Sequence, residues 1–241
     1  MGSHPSQART IRSQLLWDMR QGSYAGRDRL PRESVLAETL GISRTQLRDI
    51  LASLEREGFI TRRHGVGTVI NRRVLEVPSR MDIEVEFLDM IRQGGYRAEV
   101  ASVRASRHRA GEEVAARLEI DPETEVLQVD RLCTADGRPA IYCEDYVEAG
   151  RIRGAYTEAD LRLPIFHFLS KFCDAAAYLD LTDLRPINAR GSLAEVLQVE
   201  EGAPVLFMDE VDYDIDGAPV FCSREYFADG ILRHTVLRKK L

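Results

Sequence analysis

Residues 30–70 read LPRESVLAETLGISRTQLRDILASLEREGFITRRHGVGTVI. Pro31 has a fixed φ and no N–H, which suits a helix start, and Glu33 adds a negative charge to the first turn. The helix predicted over about 32–40 carries Val35, Leu36 and Leu40, with Ile42 just beyond, at a spacing that faces one core. Gly41 reads as the stop, because glycine enters positive φ without a Cβ penalty, and Ser43 reads as the N-cap of a second helix. That second helix, about 44–57, turns Leu47, Ile50, Leu51 and Leu54 inward. Gly58, a strand over 59–63, the turn His64-Gly65-Val66-Gly67 and a strand over 68–70 follow. Helix, short Gly-containing turn, helix is the helix-turn-helix signature.

The first turn of the second helix holds Arg44, Thr45, Gln46 and Arg48, away from the leucine stripe. In a helix-turn-helix this is the end that enters the major groove. Arg pairs with guanine and Gln with adenine through two hydrogen bonds, and Thr offers a methyl and a hydroxyl. A merely solvated helix face is the alternative, and it leaves unexplained the basic strand and Gly-rich tip that come next.

This stretch resembles the winged helix-turn-helix of the GntR family of bacterial regulators, over about residues 7–72. The resemblance implies that Arg44, Thr45, Gln46 and Arg48 read an operator and that His64 and Gly65 reach the minor groove from the wing. Where the family has Arg directly after the Glu matching Glu33, this chain has Ser34, and an Arg precedes the Glu instead. That residue, Arg32, is the candidate for the corresponding backbone contact.

Charge gives a separate indication. Residues 1–73 carry thirteen Arg and no Lys against seven acidic residues, a balance of +6, while the remainder carries twenty basic against thirty-two acidic, −12. A basic head on an acidic body is what phosphate binding by one domain predicts, and the overall −6 hides it.

At 241 residues and 44% apolar content, the chain has room for a second core. No run of 18 apolar residues and no secretory leader pattern occurs, so a cytoplasmic protein with no membrane partner is expected. Cys133, Cys143, Cys173 and Cys222 lack CxxC or His-spaced patterning, so buried free thiols are expected rather than a metal site or disulfides. His108, His167 and His234 likewise show no metal or catalytic spacing. Residues 1–72 form the expected head, the polar, Pro78-containing segment 73–82 an expected linker, and 83–241 the body.

The body contains a repeat. Residues 118–146, LEIDPETEVLQVDRLCTADGRPAIYCEDY, align with 197–226, LQVEEGAPVLFMDEVDYDIDGAPVFCSREY, sharing Leu, Val-Leu, Asp, Asp-Gly, Pro and Tyr with one inserted residue. Each copy reads as a short helix, a strand, an Asp-Gly hairpin and a return strand. A helix over about 83–92 feeds a strand over 98–107, and between the copies lie an amphipathic helix, about 164–173, and an extended segment, about 175–189. The fold class expected is α+β, a winged helix-turn-helix joined to an antiparallel sheet with helices packed against it.

The repeat resembles the UTRA effector domain of the HutC subfamily, with its chorismate-lyase-like fold. That likeness implies a homodimeric repressor that binds double-stranded operator DNA and is released by a small metabolite, with no cofactor. Arg97, Arg131, Glu144 and Glu225 are the candidate effector residues, from the inward faces of the repeat strands. Cys133 replaces the second of two arginines common in the subfamily and Phe221 a Glu, which points away from a hexosamine phosphate. Arg97 and Arg131 can still clamp an anionic metabolite through paired hydrogen bonds. The alternatives are a cross-strand pairing of Arg131 with Asp130 or Glu210, and solvated strand ends for Glu144 and Glu225. Two rival functions are a DNA-binding protein with a purely structural oligomerisation domain, and a lyase-like enzyme. No Ser/His/Asp set, paired-carboxylate motif or P-loop favours the second.

Overall fold

The computed structural model describes residues 4–239 except 84 and 175, with the backbone alone at 4–7 and 9. It divides into two units, one of residues 1–84 together with 234–241 and one of residues 85–233.

In the first unit, α1 (His4–Arg20), α2 (Glu33–Leu40) and α3 (Arg44–Arg56) precede a hairpin of β1 (Ile60–Arg63) and β2 (Gly67–Ile70), and a single turn, α4 (Arg72–Leu75), ends the run. Leu15 and Met19 of α1, Leu36 of α2, and Leu47, Leu51 and Leu54 of α3 are fully buried together. The turn between α2 and α3 is fixed by local chemistry. Gly41 sits at φ 64°, its N–H donates to Glu38 O, and Ile42 N–H donates to Ala37 O, the paired bonds of a Schellman stop. Ser43 and Gln46 then form a capping box, each side chain accepting from the other's backbone N–H at 3.2 Å.

The segment 73–82, read from sequence as a linker, contributes buried residues here. Leu75, Ser79 and Arg80 are no more than 5% exposed. Residues 234–239, beyond the last strand of the other unit, also fold with this one.

The second unit contains α5 (Phe87–Gln93), β3 (Ala98–Arg109), α6 (Gly111–Leu118), β4 (Glu125–Ala135), β5 (Arg138–Glu148), α7 (Glu158–Leu161), α8 (Ile165–Phe172), β6 (Leu179–Asn188), α9 (Ser192–Leu197), β7 (Pro204–Tyr213) and β8 (Pro219–Ala228). The strands make one antiparallel sheet in the order β3-β4-β5-β8-β7-β6. The repeat is therefore structural: β3-α6-β4-β5 recurs as β6-α9-β7-β8, with β5 and β8 paired at the centre. Glu144 opposite Arg224 marks the pseudo-twofold, since Tyr142 opposite Tyr226 on one side matches Tyr146 opposite Cys222 on the other. Equivalent backbone oddities recur as well. Glu119 and Gln198, which end α6 and α9, have φ of 54° and 52°. The hairpins differ by the inserted residue: Asp136 and Gly137 (φ 51° and 82°) close the first in a two-residue turn, while Asp214 Oδ1 accepts from Asp216 and Ala218 N–H in the longer second.

Alternation along the central strands β4, β5, β7 and β8 gives that part of the sheet two covered faces, while the edge strands β3 and β6 stay largely exposed. α6 and α9 pack on the face of Val126, Tyr142, Tyr146, Val205 and Cys222. α7 and α8 pack on the other, where Ile165, Phe168, Leu169 and Phe172 meet Leu127, Val129, Val147 and Phe221.

Candidate nucleic-acid interface and effector site

In the first unit, Arg44, Thr45 and Arg48 are exposed on the opening turn of α3, and Arg32 is exposed at the start of α2. Gln46 is half-buried, because its Oε1 accepts from both the Ser43 N–H and the Ser43 hydroxyl. Only its amide nitrogen is left to reach outward. Arg48 Nε donates to Glu33 Oε2 at 2.9 Å, so α2 and α3 share an ion pair at their N-terminal ends. That hydrogen bond and the charge of Glu33 raise the Arg48 pKa above its ordinary value. Arg44 has no ion-pair partner among the described residues.

The hairpin after α3 ends in a turn where Val66 N–H donates to Arg63 O at 3.1 Å. Gly65 and Gly67 have φ of 75° and 97°, which explains their place at the tip. His64 and Gly65 are exposed there with Arg63. A short third edge joins this hairpin: Ile70 N–H donates to Asp28 O, Leu30 N–H to Thr68 O, and the Arg29 guanidinium to Val66 O. Arg29 and Arg63 are exposed cations that the sequence reading does not single out. Arg63 carried a signal, being adjacent to His64; Arg29 carried none. Arg62, by contrast, is tied to Glu55 at 2.7 Å.

In the second unit, the polar centre lies on the α7/α8 face. Arg131, 4% exposed, donates from Nε and Nη2 to Asp145 Oδ2 at 3.0 and 2.6 Å, and from Nη1 to Leu163 O at 2.9 Å in the α7–α8 connection. Burial opposes the charge on Arg131, but Asp145 outweighs it and the guanidinium stays firmly charged. Burial raises the Asp145 carboxyl above its usual value even so. Cys143, whose neighbours on this face are Arg131 and Glu225, directs its thiol toward Asp145 Oδ2 at 3.6 Å. Glu225 accepts from Ser223 Oγ at 3.1 Å and is pushed well above the carboxylate range, first by burial and then by Glu210, Asp145 and Asp212. Glu86, at the start of α5, is pushed up to about 7 by burial, with Arg131 opposing and Asp89 and Asp145 adding.

Several sequence expectations are corrected by this geometry. Arg131 pairs with neither Asp130 nor Glu210: Asp130 is its sequence neighbour and points to the other face, and Glu210 belongs to β7, with β5 and β8 in between. Glu225 is not a solvated strand end but 6% exposed. Glu144 is on the opposite face from Arg131 and Glu225, because it pairs with Arg224 while its neighbour Cys143 pairs with Glu225. There Glu144 accepts from Tyr226 OH at 3.4 Å, and burial raises its pKa. Arg97 is exposed at the far end of the β3–β4 pair, where its N–H donates to Asp136 Oδ1. Val103, the register partner of Arg131, is six residues away along β3, roughly 20 Å at 3.3 Å per residue. The Arg97–Arg131 clamp is not assembled. Of the cysteines, Cys133, Cys143 and Cys222 are buried as expected, but Cys173 is partly exposed at the end of α8.

Among the described residues no group of three or more His, Cys, Asp or Glu is arranged to hold a metal, and no helix is long and apolar enough to cross a membrane.

Residues 93–229 match the sequence model of the UTRA domain, and residues 7–70 match that of the bacterial regulatory proteins, gntR family. The chain belongs to the UTRA-domain regulators of the GntR family. An HTH-type transcriptional regulator of Rhizobium meliloti (strain 1021) is 27% identical over 225 residues, covering 91% of this chain and 90% of that protein. The HTH-type transcriptional repressor NagR of Bacillus subtilis is 23% identical over 203 residues, covering 84% and 82%. The solved structure of YydK from Bacillus subtilis superposes with a TM-score of 0.77 at 17% identity, covering 97% and 99%, which speaks to the fold alone. The chain is thus a DNA-binding transcriptional regulator of the GntR/UTRA type. Two residues of its second unit escape sequence reasoning. Asp145 had a signal, standing next to Glu144 on a strand where faces alternate; Glu86, outside both repeat copies, had none.

Proposed function

We propose that this UTRA regulator is a homodimeric repressor of the HutC type, and not an enzyme, that binds a palindromic operator and changes its affinity when a small metabolite occupies the UTRA domain. The observation that carries the reading is the exposed first turn of α3, with Arg44, Thr45 and Arg48, in a unit whose next element is a hairpin tipped by Arg63, His64 and Gly65. In this reading Arg44, Thr45, Arg48 and the free amide of Gln46 meet base edges, while Arg32 and the hairpin tip meet backbone and minor groove. A dimer sets two such helices on an inverted repeat, and effector control is the coupling free energy between the two sites.

For the effector, the site we favour is beside the buried cluster of Arg131, Asp145 and Glu225, flanked by the half-buried Glu86. Arg131 is already matched by Asp145, so a ligand bringing hydrogen-bond donors fits this site better than one bringing only negative charge. The repressor sense is supported by NagR, which carries that name. The test is a thermal-shift screen of the chain against amino acids, organic acids, nucleosides, sugar phosphates and phosphonates, followed by gel shifts with each hit. A ligand that stabilises the chain and alters its DNA affinity is the expected result. Intact DNA binding with no hit in any class would favour the effector-free oligomerisation module instead.

A further inference from the structure

Residues 234–239 follow the second unit in sequence yet fold with the first. Thr235 bridges Arg80 in parallel, Met81 N–H donates to Thr235 O at 2.9 Å, and Leu237 N–H donates to Asp82 Oδ1 at 3.1 Å. The two stretches by which the chain leaves and re-enters the DNA-binding unit are therefore joined to each other as a strap.

The strap ends on α3. Lys239 Nζ donates to Glu55 O at 2.6 Å and to Arg56 O at 2.7 Å, two carbonyls of the last turn. Arg80 donates to the next carbonyl, that of Glu57, bonds Asp82, and lies over the Phe59 ring at 5.1 Å. Leu237 closes on Gly58, where an added Cβ would come within 2.5 Å of its Cδ2. A helix ends with unsatisfied carbonyls and a partial negative charge, so two cations donating to three consecutive carbonyls make a C-terminal cap.

We propose that residues 235–239 are a positioning element for the recognition helix: by capping the last turn of α3 they set the placement of its first turn, and with it operator affinity. At 13 residues, or about 20 Å, α3 is short enough to transmit a tilt from one end to the other. The inference rests on the reading of α3 as the helix that meets DNA. It deepens that reading by giving the chain that leaves the UTRA domain a direct hold on this helix.

The experiment uses the full chain and its Lys239→Met, Lys239→Arg and Leu237→Asp variants. The probes are a fluorescent duplex enriched from a random library by the wild-type chain and a scrambled duplex of equal length. Lys239→Met and Leu237→Asp are expected to weaken binding to the enriched duplex by about two- to fivefold, the scale of a lost exposed helix-terminal cation, with the scrambled duplex unaffected. Hydrogen exchange at the amides of Glu57, Gly58 and Phe59 is expected to speed up in both, and Lys239→Arg to restore wild-type behaviour. Wild-type affinity in both variants overturns the proposal. So do equal losses on both duplexes with a salt slope lower by about one, which make Lys239 a phosphate contact. If the wild-type chain enriches no duplex, the functional reading fails on its own; the cap is then judged by exchange, and unchanged exchange overturns it.

Discussion

Arg131 and Asp145 form a buried ion pair between adjacent strands, β4 and β5, with side chains 5% and 2% exposed. The third bond of the guanidinium, to Leu163 O, ties this pair to the α7–α8 connection. Removing one partner leaves the other charge buried and unmatched. Arg131→Met and Asp145→Asn are therefore each expected to destabilise the UTRA domain by about 3–5 kcal/mol, read from urea unfolding of the full chain. The double variant Arg131→Met/Asp145→Leu is expected to recover much of that loss, because two apolar groups leave no orphan charge. A double variant as weak as the singles would show that Leu163, not Asp145, is the partner that matters.

Glu86 supplies a pH dependence with a definite sign. Its carboxyl is pushed up to about 7, chiefly by burial, against an ordinary value of 4.5. A carboxyl that holds its proton more tightly in the folded chain stabilises the fold when protonated. The contribution is complete below 4.5 and is lost as the pH rises through about 7. Glu86→Gln keeps the hydrogen-bonding shape without the charge. Its melting temperature relative to wild type is expected to rise between pH 5 and pH 8, and a constant difference over that range would place the Glu86 titration elsewhere.

What was legible in the sequence was what short-range chemistry decides. Gly41, Ser43 and Gln46 fix the turn between α2 and α3 within six residues, and the Asp-Gly pairs at 136–137 and 216–217 announce both hairpins. The repeat was visible because each copy is a local unit. α1 is legible in principle from Ile11, Leu15 and Met19 at four-residue steps. The proposed effector face was not legible, since whether Glu144 or Asp145 points toward Arg131 depends on the register of β5 against β4 and β8, with a shift between Cys133 and Thr134. Least visible were contacts that span the chain, such as Leu237 on Asp82 across 155 positions and Lys239 on Glu55 across 184. A linker and a tail carry no periodicity that would pair them.

The four thiols are expected to separate by exposure. Burial raises Cys133 and Cys173 to about 11 and Cys222 to about 12, and Cys143 well above its usual value, so none is a reactive thiolate near neutral pH. Cys173 alone is partly exposed. Under native conditions a thiol reagent is expected to label Cys173 slowly and the others only on unfolding, as read by mass spectrometry of the labelled peptides. Rapid native labelling of Cys143 would mean that the Arg131–Asp145 region opens readily.

The bond from Arg48 to Glu33 makes a prediction in the opposite direction from most mutations. Glu33 occupies the guanidinium that the proposed operator contact needs, so binding DNA requires Arg48 to exchange one partner for another. Glu33→Gln removes the competing charge and is expected to tighten DNA binding several-fold, whereas Arg48→Ala and Arg44→Ala are each expected to weaken specific binding by about 1–3 kcal/mol. The double variant decides the cause, because coupling between contacting residues appears as non-additivity. If Glu33→Gln acts by freeing Arg48, its gain vanishes in the Arg48→Ala background. A gain that persists there would come from relief of repulsion between Glu33 and phosphate, and Arg48 would then be held by Glu33 in the bound state as well.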